Sequence, residues 1–146
     1  MRSPEFRRQA HLQSLKAAIQ APAPGPRPRR GEVWRLNYPD CVEARAVVVQ
    51  DDSFDGTSSI AVCGLVETEA EAPLFRPLVQ PSVGNGLVRR ARLMVGQITN
   101  VSASRFVSRL GALDDADLRQ LNRALLVFMG LADHRPKLRE TAEKKP

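Results

Sequence analysis

The chain has 146 residues, 42% of them hydrophobic, and a formal charge of +6 from 22 Lys and Arg against 16 Asp and Glu. The length predicts one domain with tails, and the apolar content excludes wholesale disorder. The charge points first to an acidic partner, nucleic acid or a membrane surface, while an aromatic content of 5% argues against broad base-stacking platforms.

The basicity lies in the arms. Residues 1–30 carry a net +6, residues 133–146 a net +2, and residues 31–132, with ten Arg and twelve carboxylates, a net −2. That middle segment has no Lys and no His; His11 and His134 both lie in the arms. A Ser-His-Asp, Cys-His or His-paired nuclease centre is therefore excluded from it. Cys41 and Cys63 lack CxxC spacing and cannot close a zinc site, which wants four ligands. No signal peptide is visible, and the longest apolar run, 125–132, is too short for a bilayer. The expectation is a reduced cytoplasmic protein with no metal or cofactor, in which Cys63 is packed.

Residues 1–20 mix basic and apolar groups and allow a short amphipathic helix; Met1–Phe6 also fits a vector-derived leader. The run APAPGPRPRR at 21–30 predicts a semi-extended linker. The folded domain is predicted over 31–132, and a charged, disordered tail over 133–146. From Gly31 the chain reads as short strands. The first covers 32–37, and the second, 45–50 (RAVVVQ), looks buried on both faces. The third covers 59–66, with Gly64 at a bulge. Pro77 assigns the fourth, 74–79, to an edge or bend. Gly84-Asn85-Gly86 is a turn. Two further strands are predicted at 87–94 and 95–101, and a last one at 106–110. Then comes a helix capped by Asp114, with Leu118, Leu121, Leu125 and Phe128 on one face and Gly130 at its end. Short strands with frequent turns predict a small β-barrel, on which that helix packs.

The blocks RRGEVWRLNYPD, ARAVVVQDD, IAVCGLVETEAEAPLFRPLVQP, NGLVRRARLMVGQIT and LDDADLRQLNRALLVFMGLA, in this order and spacing, resemble the MazF/PemK family of type II toxin–antitoxin endoribonucleases over about residues 29–132. The resemblance implies a small SH3-like (CcdB/PemK-type) β-barrel with a C-terminal helix, mostly β in an α+β frame, working as a homodimer. It implies metal-independent cleavage of single-stranded RNA (mRNA or tRNA), leaving a 2′,3′-cyclic phosphate and a 5′-hydroxyl and so inhibiting translation and growth. It also implies neutralisation by a cognate MazE-like antitoxin. Cleavage by the 2′-hydroxyl needs a base, charge stabilisation at phosphorus and help for the leaving oxygen. Arg can supply the phosphate clamp, because its planar fork matches two phosphate oxygens.

The family's catalytic Arg stands just before the second strand, and Arg45 matches it, although Ala46 replaces the usual Pro. The family's Thr after the third strand is not matched: Val66 and Glu67 fall on the Thr-Thr positions, and Thr68 is the nearest hydroxyl. Three readings stay open: a shifted loop brings Thr68 into the site, Glu67 serves as general base, or the nuclease is weak or inactive. The loop at 37–44 is shorter than the family's Gly-rich one, and its Asn37, Tyr38 and Asp40 are candidate base contacts. Gln97 matches a polar RNA-facing position. Arg89, Arg90 and Arg92 form the dense basic cluster of the middle segment; on a strand, Arg90 and Arg92 share a face suited to phosphates and Arg89 points away. The alternative for that cluster is a charged strand edge. Alternatives for the whole chain are a degenerate, non-catalytic binding module or a CcdB-like gyrase inhibitor. The ending Phe128-Met129-Gly130-Leu131-Ala132 lacks the Trp-Gly-Ile of the latter.

Overall fold

The structure is a computed structural model that describes residues 4–20, 27–54, 56–68 and 76–132. Residues 21–26 of the linker predicted at 21–30, the tail at 133–146 and residues 74–75 of the predicted fourth strand lie outside the described residues. Helix α1 spans Pro4–Gln20, and its described side chains, residues 4–13, are all exposed. The predicted helix is present, and its apolar side chains Phe6 and Leu12 are exposed.

Strands β1 (Glu32–Tyr38), β2 (Cys41–Val48), β3 (Ser59–Val66), β4 (Leu78–Val79), β5 (Ala91–Ser102) and β6 (Phe106–Ala112) form one sheet in the order β4-β5-β3-β2-β1-β6. Every pairing is antiparallel. The sheet curls into a half-barrel, and its ends meet through the turn between β4 and β5. Ala112 N donates to Gly84 O at 2.9 Å. A Cβ on Gly86, at φ +70°, would sit 2.1 Å from Leu110 O, and one on Gly111 would sit 2.3 Å from Gly84 O. Only residues without a side chain allow this closure. Asn85 fixes the turn from inside: buried, it accepts from Ser82 N and Leu87 N and donates to Gln80 O. The predicted Gly-Asn-Gly turn is thus also the barrel's clasp.

Alternation along β2 explains two cores. Val47 and Val49 point inward with Val33, Cys63, Leu65 and Leu93, while Ala46 and Val48 face a second cluster with Trp34, Leu36, Val62 and Phe106. The predicted burial of β2 on both faces holds, as does that of Cys63. Trp34 and Phe106 meet edge to face at 5.6 Å between centroids.

Helix α2 (Asp115–Phe128) starts where Asp114 accepts from Asp117 N at 2.8 Å, as predicted. It ends at Gly130, where Leu131 N donates to Leu126 O. Leu121 and Ala124 are buried against the inner core, with Leu118 and Leu125 half-buried. Phe128 departs from the predicted stripe: its ring lies beside Gly96, yet the last turn runs past the barrel and leaves it exposed.

Several boundaries differ from the sequence reading. The strand predicted at 45–50 begins at Cys41, and the predicted 37–44 loop shrinks to a Pro39-Asp40 turn closed by the Tyr38–Cys41 pair. Pro39 suits the second position of such a turn. No residue outside Gly has positive φ among the described residues, and a register irregularity between Leu36 and Tyr38 takes up the twist instead. The strands predicted at 87–94 and 95–101 are one, β5, starting at Ala91. Its pairing jumps from Gly64–Met94 to Cys63–Ile98, so Val95, Gly96 and Gln97 bulge and bend the strand without breaking it. Gly64 stands at that bulge, as predicted. Edge strand β4 is short and follows Pro77, and β6 runs on to Ala112. Arg30, assigned to the arm, is tied to the barrel: its backbone N donates to Asp52 at 2.7 Å and its guanidinium to Val49 O and Asn122.

Candidate nucleic-acid interface

A hollow of about 490 Å³ opens on the sheet between the β1–β2 hairpin and the β5 bulge. Its floor is apolar: Leu36, Ala46, Val62, Gly64 and Met94. Its rim is polar: Tyr38, Cys41, Glu43, Arg45, Glu67, Gln97 and Thr99. An apolar floor with a few convergent polar groups suits a flat ligand with a charged edge.

Among the described residues Arg45 is the cation of this rim, its side chain 21% exposed. Two carboxylates hold it. Glu43 lies two residues earlier on the same face of β2, and Arg45 Nη2 donates to its Oε2 at 3.2 Å. Glu67 follows the end of β3. Because Arg45 pairs with Leu65, Glu67 is its diagonal neighbour, and its Oε1 lies 3.8 Å from Arg45 Nη1. The other oxygen of Glu67 lies 3.8 Å from Arg89 Nη1. The carboxylate side of each pair is open to water, and such exposed pairs are individually weak.

Glu67 is also a divide. Beyond it lies a second groove of about 610 Å³ lined by Glu67, Thr68, Gln80, Pro81, Val88, Arg89 and Arg90. Thr68 is therefore beside the Arg45 hollow, not in its wall. The basic cluster splits differently from the sequence expectation. Arg90 precedes β5, so Arg90 and Arg92 do not share a strand face; Arg89 and Arg90 share the second groove. Arg92 lies in another recess with Gln120 and Arg123 of α2, and its Nη1 donates to Arg76 O at 3.0 Å. Tyr38 reaches the hollow with the Arg105 guanidinium over its ring, 5.1 Å from the centroid. Asn37 does not line the hollow, but its carbonyl accepts from Arg105 Nη1 at 3.0 Å. Asp40 sits in the hairpin turn, exposed. Gln97 lines the hollow from the bulge.

Sequence reasoning missed Glu43, Thr99 and Arg105, and it turned Arg89 away from the face where it meets Glu67. Glu43 was readable, since alternation puts it beside Arg45 once β2 is started early enough. The other three depend on register and loop packing between distant segments. Among the described residues no cluster of His, Cys, Asp and Glu has a geometry for holding a metal ion, and no helix is long and apolar enough to cross a membrane.

A curled antiparallel half-barrel with a C-terminal helix packed on its inner core, and an Arg set between two carboxylates in an open hollow, defines a small mostly-β barrel. Residues 29–129 match the family described as PemK-like, MazF-like toxin of type II toxin-antitoxin system. Over 107 residues the chain is 37% identical to the probable endoribonuclease MazF of Mycolicibacterium smegmatis, covering 71% of this chain and 98% of that one. The chain belongs to the PemK/MazF toxin family. Its fold is also that of an endoribonuclease from a mycobacterial species solved in complex with its cognate antitoxin (TM-score 0.61, 20% identity, 72% of this chain and 97% of that one). A MazE–MazF complex from Deinococcus radiodurans is similar as well (TM-score 0.60, 20% identity, 74% and 100% coverage).

Proposed function

We propose that this chain is a toxin endoribonuclease that cuts single-stranded RNA at the Arg45 hollow, and that a cognate MazE-like antitoxin neutralises it. The observation that carries this reading is the placing of Arg45, in a chain of this family, between two carboxylates that a phosphate can displace. The scissile phosphate takes the Arg45 guanidinium away from Glu43 and Glu67. Glu67, released beside the phosphate, accepts the proton of the 2′-hydroxyl. The 2′-oxygen attacks phosphorus, and Arg45 stabilises the charge that builds on the phosphoryl oxygens. The bond to the 5′-oxygen breaks, and that oxygen takes a proton from solvent. The products are a 2′,3′-cyclic phosphate and a 5′-hydroxyl end, and no step needs a metal.

Glu67 fits the part of general base better than Thr68, because it contacts Arg45 and its carboxylate accepts protons directly. Tyr38 offers a face for stacking a base at the hairpin, and Gln97 a carboxamide for a base edge. Asn37 contributes through its backbone, holding the Arg105 side chain beside Tyr38. The chain works as a homodimer in this reading, which light scattering tests; a monomer at micromolar concentration contradicts it. The enzymatic reading is tested by mapping 5′-hydroxyl ends in RNA from cells expressing the protein. New ends at recurrent positions support it, and their absence contradicts it.

A further inference from the structure

We propose that the groove beyond Glu67 is a second nucleotide subsite, in which Arg89 and Arg90 hold the phosphate adjacent to the scissile one. This inference rests on the endoribonuclease reading and extends it. Arg45 and Arg89 each reach one oxygen of the same carboxylate, at 3.8 Å. The two contacting nitrogens are therefore no farther apart than two such contacts and the width of a carboxylate. That is a spacing a single nucleotide step of an extended strand can bridge. One phosphate at Arg45 places the next within reach of Arg89.

The groove has the chemistry of a nucleotide site. Among the described residues that line it, the cations Arg89 and Arg90 stand with a single carboxylate, Glu67. Arg89 is 77% exposed and thus available to solvent-borne anions. Val88 and Pro81 give an apolar wall for a ribose or base face, and Gln80 supplies a carboxamide at the opening. The wall is held in place: Asn85 bonds Gln80 O and Leu87 N, at opposite ends of the segment, and Ala112 N holds Gly84 O. A site preorganised in this way loses little entropy when it binds. Glu67 between the two subsites compensates both Arg side chains in the free protein. It is left unpaired when two phosphates arrive, which is the state a base requires.

The test measures binding of an uncleavable 2′-O-methyl RNA of about a dozen nucleotides against salt concentration. Full-length wild type is compared with R89A, R89A/R90A and the control R119A, a helix α2 Arg in neither groove. The slope of log affinity against log salt should shrink by about 0.7 for each phosphate contact removed. R89A/R90A should therefore lose more slope than R89A, and R119A none. In parallel, cleavage at mapped sites should show a raised KM with unchanged cut positions. A wild-type slope in R89A/R90A, an equal loss in R119A, or no binding by wild type overturns the proposal. If wild type cuts no RNA while the slopes separate as expected, the endoribonuclease reading falls and the subsite stands as a binding groove. If wild type cuts and the slopes coincide, only the subsite falls.

Discussion

Arg45 and Glu67 face each other across the β2–β3 pairing at 3.8 Å, where the family pattern calls for an Arg and a Thr. A carboxylate here both neutralises the Arg at rest and can take a proton when a phosphate displaces it. In the proposed mechanism the pair serves as a guarded phosphate clamp and a general base.

Replacing Glu67 by Gln keeps the shape and removes the base. We expect cleavage to fall by about 10²–10⁴ while RNA binding is kept or strengthened, because one negative charge leaves the groove. Single-turnover kinetics beside binding titrations check this. Cleavage at the wild-type rate in E67Q would transfer the base role to another group.

The arm should matter for attraction and not for cutting. The family match begins at residue 29, and the described side chains of α1 are exposed. Removing residues 1–28 leaves Arg30 and its bonds to the barrel intact. The salt dependence of RNA binding should flatten, with the cut positions unchanged. A shifted cleavage pattern would make the arm part of the reader.

Asn85→Ala should open the clasp of the barrel. It leaves Ser82 N, Leu87 N and Gln80 O without their partner, at a cost of about 1–3 kcal/mol for each group that stays unsatisfied. A denaturant melt reads the loss. A midpoint equal to that of wild type would show that water replaces the side chain.

Much of this was legible in the sequence. The doubly buried β2, the Asp114 cap and the Gly-Asn-Gly turn are local patterns, and each appears where its residues put it. What was hidden is what pairing decides. The three-residue bulge at Val95–Gln97 exists because β5 must follow the curl of β3, and no residue within it announces that. The division of Arg89 and Arg90 from Arg92 follows from where β5 starts. Composition placed all the core cations as Arg, but only the fold shows that one of them is enclosed by two carboxylates.

The two thiols should differ in reactivity. Burial pushes the Cys63 thiol from its ordinary 9.0 up to about 12, whereas Cys41 is exposed at the hollow's rim. Iodoacetamide should label Cys41 in the native protein and Cys63 only after unfolding. The unfolded chain loses the Cys63 proton above its ordinary value, while the folded chain keeps it to about pH 12. This contribution to stability is therefore full below the ordinary value and declines as pH rises toward the folded one. Mass spectrometry of the labelled peptides and melts across alkaline pH check both parts. Rapid native labelling of Cys63 would contradict its packing in the inner core.

The most direct measurement incubates purified wild type and Arg45→Ala with single-stranded RNA in EDTA and identifies the ends produced. The account predicts that wild type cuts without metal, leaving 2′,3′-cyclic phosphate and 5′-hydroxyl ends. It predicts that Arg45→Ala loses about 10²–10³ in rate, the worth of one charge-stabilising donor. Cleavage by Arg45→Ala at the wild-type rate, or none by wild type, would contradict it.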